Sequence, residues 1–261
     1  MILDYKGISI YYSQKGEGKT VVLLHGFLES STIWDDLVSE ISKLHQVISI
    51  DLLGHGKTGC LGYIHTMEQM AEAVDAVLKH LKIEKATLIG HSMGGYVALA
   101  YLELFPEKVE ALCLQNSTAV EDSPEKKLNR DRAIEVVKES HETFVGQLVS
   151  LVFSPENRAI FSNEIKLIKE EALKFPVQGI IAALEGMKIR KDRLKLFRKA
   201  PIKKLMIIGQ NDPILNRDTL IEQSKDSDVE IAELPDGHMS FIENKKENTY
   251  IIMHFIEKLC Q

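Results

Sequence analysis

The chain has 261 residues, 44% of them hydrophobic and 27% charged, and a formal net charge of −6 at pH 7. That length predicts one large domain, or one domain carrying an insertion, and the acidic balance argues against a nucleic-acid binder. No apolar stretch approaches the ~20 residues of a membrane span, and the N-terminal Met1-Ile2-Leu3-Asp4-Tyr5-Lys6 lacks the basic and then apolar run of a signal peptide. Cys60, Cys113 and Cys260 have no metal-type spacing, and an odd number builds no disulfide framework. A reducing, cytoplasmic setting is expected, without membrane or nucleic-acid partners, for a monomer or homodimer.

In chain order, Ile8 to Ser13 reads as a strand and Gly16-Glu17-Gly18 as a turn. Thr20 to Leu24 is continuously apolar, the mark of a strand buried on both faces, and stops at His25-Gly26. A helix is predicted over Thr32 to Lys43, capped by Ser30 or Ser31, then a strand over Gln46 to Ile50. Thr66 caps a helix over Met67 to Leu81 with Met70, Ala73, Val74, Val77 and Leu78 on its apolar stripe. A strand at Ala86 to Ile89, a helix stopping before Pro106 and a buried strand at Val109 to Leu114 follow. Alternating strands and helices predict an α/β fold: a mostly parallel central sheet with helices on both faces.

The pattern changes at Asn116. From there to Lys199 only helical segments are read: one starting at Ser123-Pro124, then Glu142–Phe153, Asn163–Lys174, Val177–Met187 and Asp192–Arg198, punctuated by Pro155 and Pro176. Strands return at Lys204–Gly209 and Val229–Leu234, and a closing helix runs from Ser240 to Leu259. The chain therefore divides into a core, 1–116 and 200–261, and a helical insertion at 117–199.

Gly90-His91-Ser92-Met93-Gly94-Gly95 lies at a strand-to-helix junction. Glycines flanking a serine let strand and helix approach closely and lift the hydroxyl out of the sheet, the geometry of a nucleophile elbow. A serine hydroxyl is a weak nucleophile at neutral pH and needs a base, and the base needs a carboxylate. The elbow predicts the acid and then the histidine downstream, at strand ends. Asp212 follows the strand ending at Gly209, and His238 lies in the loop before the closing helix. Asp236 and Asp218 are rival acids, but neither directly follows a core strand. Met93 N–H, at the helix start, is a donor for a tetrahedral oxyanion.

These motifs, His25-Gly26-Phe27, Asp51-x-x-Gly54-His55-Gly56, Gly90 to Gly95, Gly209-x-x-Asp212-Pro213 and Gly237-His238, resemble the α/β-hydrolase fold, specifically its lidded esterase, lactonase and C–C hydrolase branch. The resemblance implies that the insertion caps the site and that Phe27 N–H is the second oxyanion donor. It also implies that Gly26, Leu28 and Trp34 bind substrate. The apolar stretch Phe144, Leu148, Leu151, Val152 and Phe153 of the insertion either roofs the pocket, with Phe144 and Phe153 as substrate residues, or only packs cap on core. Some family members carry the acid after the sixth strand, where this chain has Gln115-Asn116 and no carboxylate.

The expected activity is hydrolysis of small or medium carboxylic esters by an acyl-enzyme route, with Ser92, His238 and Asp212 as triad and no cofactor. The same triad serves C–C hydrolysis, lactonase, thioesterase or cofactor-free lyase chemistry, and a ligand receptor retaining a slow triad is a further alternative. No metal is expected: His25, His55 and His91 sit at separate strand ends without paired spacing. Gly54-His55-Gly56-Lys57-Thr58 resembles the end of a phosphate loop, but the required first glycine is Asp51. The basic run Lys188, Arg190, Lys191, Arg193, Lys195, Arg198 and Lys199 is either a solvated face or a set that reaches over the pocket toward an anionic substrate.

Overall fold

The structure is a computed structural model and describes residues 1–258. Its strands are β1 (Ile2–Tyr5), β2 (Ile8–Lys15), β3 (Thr20–Leu24), β4 (Gln46–Ile50), β5 (Ala86–His91), β6 (Val109–Gln115), β7 (Lys203–Gly209) and β8 (Glu230–Leu234). They form a single sheet in the order β1-β2-β4-β3-β5-β6-β7-β8. β1 pairs antiparallel with β2 and β2 antiparallel with β4; every other pairing is parallel. β3 and β5 are buried along their whole length, as their unbroken apolar runs require when helices cover both faces. β1 carries no alternating signal and was not legible; its burial is only partial, and pairing with β2 forms it.

The core helices are α1 (Asp35–Ile41), α2 (Met67–His80) and α3 (Met93–Leu104). Ser30 is the residue that caps the first helical stretch, which opens as a 3₁₀ turn over Ser31–Trp34 before α1. Thr66 and Gln69 form a reciprocal capping box at α2, satisfying two backbone donors.

Between β6 and β7 lie four helices: α4 (Pro124–Leu151), α5 (Ser162–Ala172), α6 (Val177–Lys188) and α7 (Leu194–Lys199). Ser123 caps α4, with Pro124 at its first position, and a non-helical Ser140 (φ −158°, ψ 90°) divides α4 into two helices meeting at a kink, the second of them the segment expected from Glu142. The remaining helices are α8 (Arg217–Ser224), α9 (Ser240–Glu243) and α10 (Lys245–Glu257). The single closing helix expected from Ser240 breaks at Asn244 (φ −128°), and its expected end at Leu259, like Cys260, lies outside the described residues. None of the described helices is long and apolar enough to cross a membrane.

Candidate active site

Ser92 lies between β5 and α3 with φ 49° and ψ −114°. A non-glycine residue there stores strain and persists only when its surroundings fix it. They do. Ser92 N–H donates to Gln115 O at 3.0 Å, and Ser92 O accepts from Gly95 N–H at 3.0 Å and Ser117 Oγ at 2.7 Å. Gly90 and Gly94 are required for the turn: a Cβ on Gly90 would overlap the backbone of Gly94, and one on Gly94 the carbonyl of Leu24.

Asp212 follows β7. Its Oδ1 accepts from the N–H groups of Ile214 (2.8 Å) and Leu215 (3.0 Å), and its Oδ2 lies 2.7 Å from His238 Nδ1. Asn116 Nδ2 donates to the same Oδ2 at 3.2 Å and to Gly237 O at 3.2 Å. Burial pushes the Asp212 carboxyl up, but the charge and hydrogen bond of His238 and the two backbone donors more than offset it and hold it below its ordinary value. Burial likewise pushes His238 down, while Asp212, then Glu29 and Glu243, raise it above the ordinary histidine value. The rival acids are occupied elsewhere: Asp236 accepts from Asn244 Nδ2 at 2.7 Å and Asp218 lies 2.9 Å from Arg217.

His238 is held by its backbone as well. Its N–H donates to Val152 O of the insertion at 3.2 Å, and its carbonyl faces His91 Nε2 at 3.0 Å. Glu243, one turn on, accepts from Met239 N–H (3.2 Å), Ser154 N–H (3.0 Å), Ser154 Oγ (2.8 Å) and Asn157 Nδ2 (2.9 Å). One buried carboxylate thus ties the histidine loop to the insertion.

Ser92 and His238 share a cavity of about 130 Å³. Phe27, Leu28, Glu29, Tyr96, Ile214 and Met239 complete its core side, and Arg130, Leu148, Val149, Val152, Ile168 and Met187 of the insertion close it from the other side. Of the five expected substrate residues Leu28 is on the wall, as are the oxyanion candidate Phe27 and, from the expected roof stretch, Leu148 and Val152. The other four substrate residues are not. Trp34 is fully buried behind the site, its ring 5.5 Å from that of Phe241. Phe153 is fully buried beside Phe161 (6.3 Å), and Phe144 reaches the cavity only by abutting the Phe27 ring edge-on (6.3 Å). Gly26 lies beneath the wall, its N–H bonded to Glu29 Oε2 at 2.6 Å. Aromatic residues in an apolar run signalled burial, and periodicity does not separate a wall from the packing behind it.

The basic run from Lys188 to Lys199 does not reach the cavity, and only part of it is a solvated face: Lys191, Lys195 and Lys199 are exposed. Arg190 and Arg193 are buried, Arg190 on Asp122 (2.7 Å) and over the Tyr96 ring (4.1 Å), Arg193 on Glu68 (2.6 Å) and Glu103 (2.7 Å). Lys188 is paired with Asp131 and Glu185, both at 2.6 Å. The cationic wall residue is Arg130, which sequence reading passed over. Its Nε pairs with Asp122, while Nη1 has the Met187 thioether at 3.4 Å, a weak acceptor.

His25 fastens the loops beneath the site. His25 Nε2 accepts from Leu52 N–H at 2.9 Å, so Nδ1 carries the proton and donates to Gly26 O at 2.7 Å. Asp51 accepts from Ser31 N–H and Lys57 N–H, both at 2.8 Å, which accounts for the Asp51-to-Gly56 motif as a loop scaffold. Among the described residues no three His, Cys, Asp or Glu side chains converge as a metal site.

Fold and site together define a class, and comparison with known proteins gives the same one. Residues 19–245 match the family model of the alpha/beta hydrolase fold. The chain belongs to the α/β-hydrolase family. A thermophilic esterase from Thermogutta terrifontis, solved with malate bound, superposes with a TM-score of 0.92 at 28% identity, covering 99% of this chain and 97% of that one. A putative 2-succinyl-6-hydroxy-2,4-cyclohexadiene-1-carboxylate synthase of Bacillus subtilis is 30% identical over 191 residues, 68% of this chain and 69% of that protein. An uncharacterized protein of Mycobacterium bovis is 33% identical over 105 residues; the match spans 40% of this chain and only 31% of that relative's length.

Proposed function

We propose that the protein is a serine hydrolase of small to medium carboxylic esters that works through an acyl-enzyme. The observation that carries this reading is the 2.7 Å contact of His238 Nδ1 with Asp212 Oδ2 beside a cavity that Ser92 shares. With Nδ1 committed to the carboxylate, Nε2 is the nitrogen left to take a proton from the Ser92 hydroxyl. Ser92 Oγ attacks the ester carbonyl and the alcohol leaves with the proton from His238. Water, deprotonated by His238, then attacks the acyl-enzyme and frees the acid and Ser92.

The intermediate's oxyanion needs donors fixed beforehand, each worth roughly 3 kcal/mol. Met93 is the first residue of α3, and the leading N–H groups of a helix have no partner within it. The Gly26–Phe27 peptide is the second source. His25 Nδ1–H holds its carbonyl at 2.7 Å, and in a planar trans peptide that fixes the Phe27 N–H on the opposite side. The helical insertion serves as lid: it supplies half the cavity wall and excludes water.

Ser92→Ala is expected to abolish hydrolysis of p-nitrophenyl esters with the melting temperature nearly unchanged, and a fluorophosphonate is expected to label Ser92 alone. Retained turnover, or label elsewhere, rejects the reading. The second reading, C–C bond, lactone, thioester or lyase chemistry on the same residues, is kept for one observation: Arg130 on the cavity wall suits a substrate bearing a carboxylate. A screen over acyl-chain length, lactones and carboxylated esters separates the two.

A further inference from the structure

Glu29 and His91 are both buried, and the reaction above assigns neither a task. Glu29 lies in the turn after β3. His91 ends β5, immediately before Ser92. Glu29 Oε2 accepts from Gly26 N–H at 2.6 Å and lies 3.0 Å from His91 Nδ1. Across the ring, His91 Nε2 lies 3.0 Å from the carbonyl oxygen of His238.

Both nitrogens of His91 therefore face oxygen atoms. A neutral imidazole has one N–H and one lone pair, so a neutral ring would aim a lone pair at the Glu29 carboxylate or at the His238 carbonyl. An imidazolium satisfies both contacts. The ring is fully buried and packs 5.0 Å from the ring of His238 and 5.0 Å, edge to face, from that of Phe241. Burial pushes the Glu29 carboxyl up, but His91, with His25 and the Gly26 N–H, more than offsets this and Glu29 is held below its ordinary value. The pairing also explains Gly26. A Cβ there would lie 2.8 Å from both Glu29 Oε2 and His91 Nδ1, in the space where the two meet.

We propose that Glu29 and His91 form a buried carboxylate–imidazolium pair that positions the proposed oxyanion turn and the general base as one unit. Glu29 acts through the N–H of Gly26, one residue before Phe27. His91 acts through the carbonyl of His238. Both are positioning residues; neither exchanges a proton with substrate. The kinetic part rests on the serine-hydrolase reading, whereas the charge pair stands without it.

The test has two arms. In ¹⁵N-histidine NMR of the wild-type protein near neutral pH, with His91 assigned through the backbone, both ring nitrogens are expected to carry protons. A neutral, single N–H ring for His91 overturns the proposal, and this arm needs neither activity nor a variant. In the second arm, fluorophosphonate labelling of Ser92 and ester turnover are compared in wild type and Glu29→Gln, which keeps the shape and removes the charge. Turnover number and labelling rate are expected to fall about tenfold to a hundredfold, the range for groups displaced from reacting geometry, with KM nearly unchanged. A labelled wild type with Glu29→Gln equally fast overturns the positioning role. A wild type that takes no label rejects the serine-hydrolase reading instead, while the NMR arm still decides the charge pair.

Discussion

Asn116 Nδ2 donates to the Asp212 oxygen that also faces His238 Nδ1, at 3.2 and 2.7 Å respectively. Asn116 further donates to Gly237 O and accepts from Ser240 Oγ, so one side chain at the end of β6 fastens both later strand ends. It does so at φ 43°, a left-handed backbone that Asn tolerates and Ala does not. Asn116→Ala is expected to cost about 2–4 kcal/mol, from backbone strain and buried groups left unpaired. Chemical denaturation measures it; a loss below about 0.5 kcal/mol contradicts the role, since surface-like substitutions fall in that range.

The acid limb of kcat/KM is expected above the ordinary histidine value of about 6.5, because His238 is raised and must be neutral to serve as the proposed base. Glu243→Gln removes one of the charges that raise it, so the limb should move to lower pH. A limb that stays in place shows that Glu243 only fastens the loop.

Stability should carry the same signature. His238 is raised in the folded state, so its contribution is full below its unfolded value and fades as pH rises through the folded one. Asp212 is lowered, so its contribution is full above its unfolded value and is lost as pH falls through the folded one. The melting-temperature gap between wild type and His238→Gln should therefore narrow from about pH 6 to about pH 9. A gap that widens over that interval refutes the assignment.

A cavity of about 130 Å³ is small; ligand pockets commonly measure ~300–1,000 Å³. Short acyl groups should be preferred, with p-nitrophenyl butyrate outrunning decanoate by about tenfold or more, the cost of overfilling a packed site. Met187→Ala, on the insertion's side of the wall, should narrow that ratio. Equal rates on both esters in the wild type would contradict a rigid wall.

Arg130 keeps one guanidinium nitrogen on a thioether, and Asp122, which holds its Nε, also serves Arg190. Esters with a free carboxylate on the acyl side should lose about tenfold or more in kcat/KM in Arg130→Met, against little change for a neutral ester of the same length, since a charged hydrogen bond is worth ~1.5–3 kcal/mol. Equal loss on both would assign Arg130 to packing.

Much of this architecture was legible in the residues. Unbroken apolar runs gave β3 and β5, and Thr66 and Ser123 marked helix starts because a side-chain oxygen there satisfies an otherwise unpaired N–H. Motif order brought Ser92, Asp212 and His238 to one end of the sheet. The wall was legible only in part: Phe27 and Leu28 from their motif, Leu148 and Val152 from an apolar stretch. Trp34 and Phe153 read as pocket residues because a large aromatic is equally at home behind a wall, and Arg130 carried no signal of its own. Its exposure to the cavity depends on how α4 lies across the sheet, which no local pattern encodes. Glu29 and Asn116 were invisible for a related reason: their partners are remote in sequence, and only the folded sheet brings those groups together.

The bond between His91 and His238 joins residues 147 apart, and that between His91 and Glu29 spans 62. Contacts this distant form only after the intervening chain has been ordered at an entropic cost. The centre therefore has no local precursor: a fragment ending before the last strand would hold the serine turn without the proposed base or the carbonyl that faces His91. Fluorophosphonate reactivity would then report the completion of folding, appearing with the final tertiary contacts and vanishing with the first of them to open.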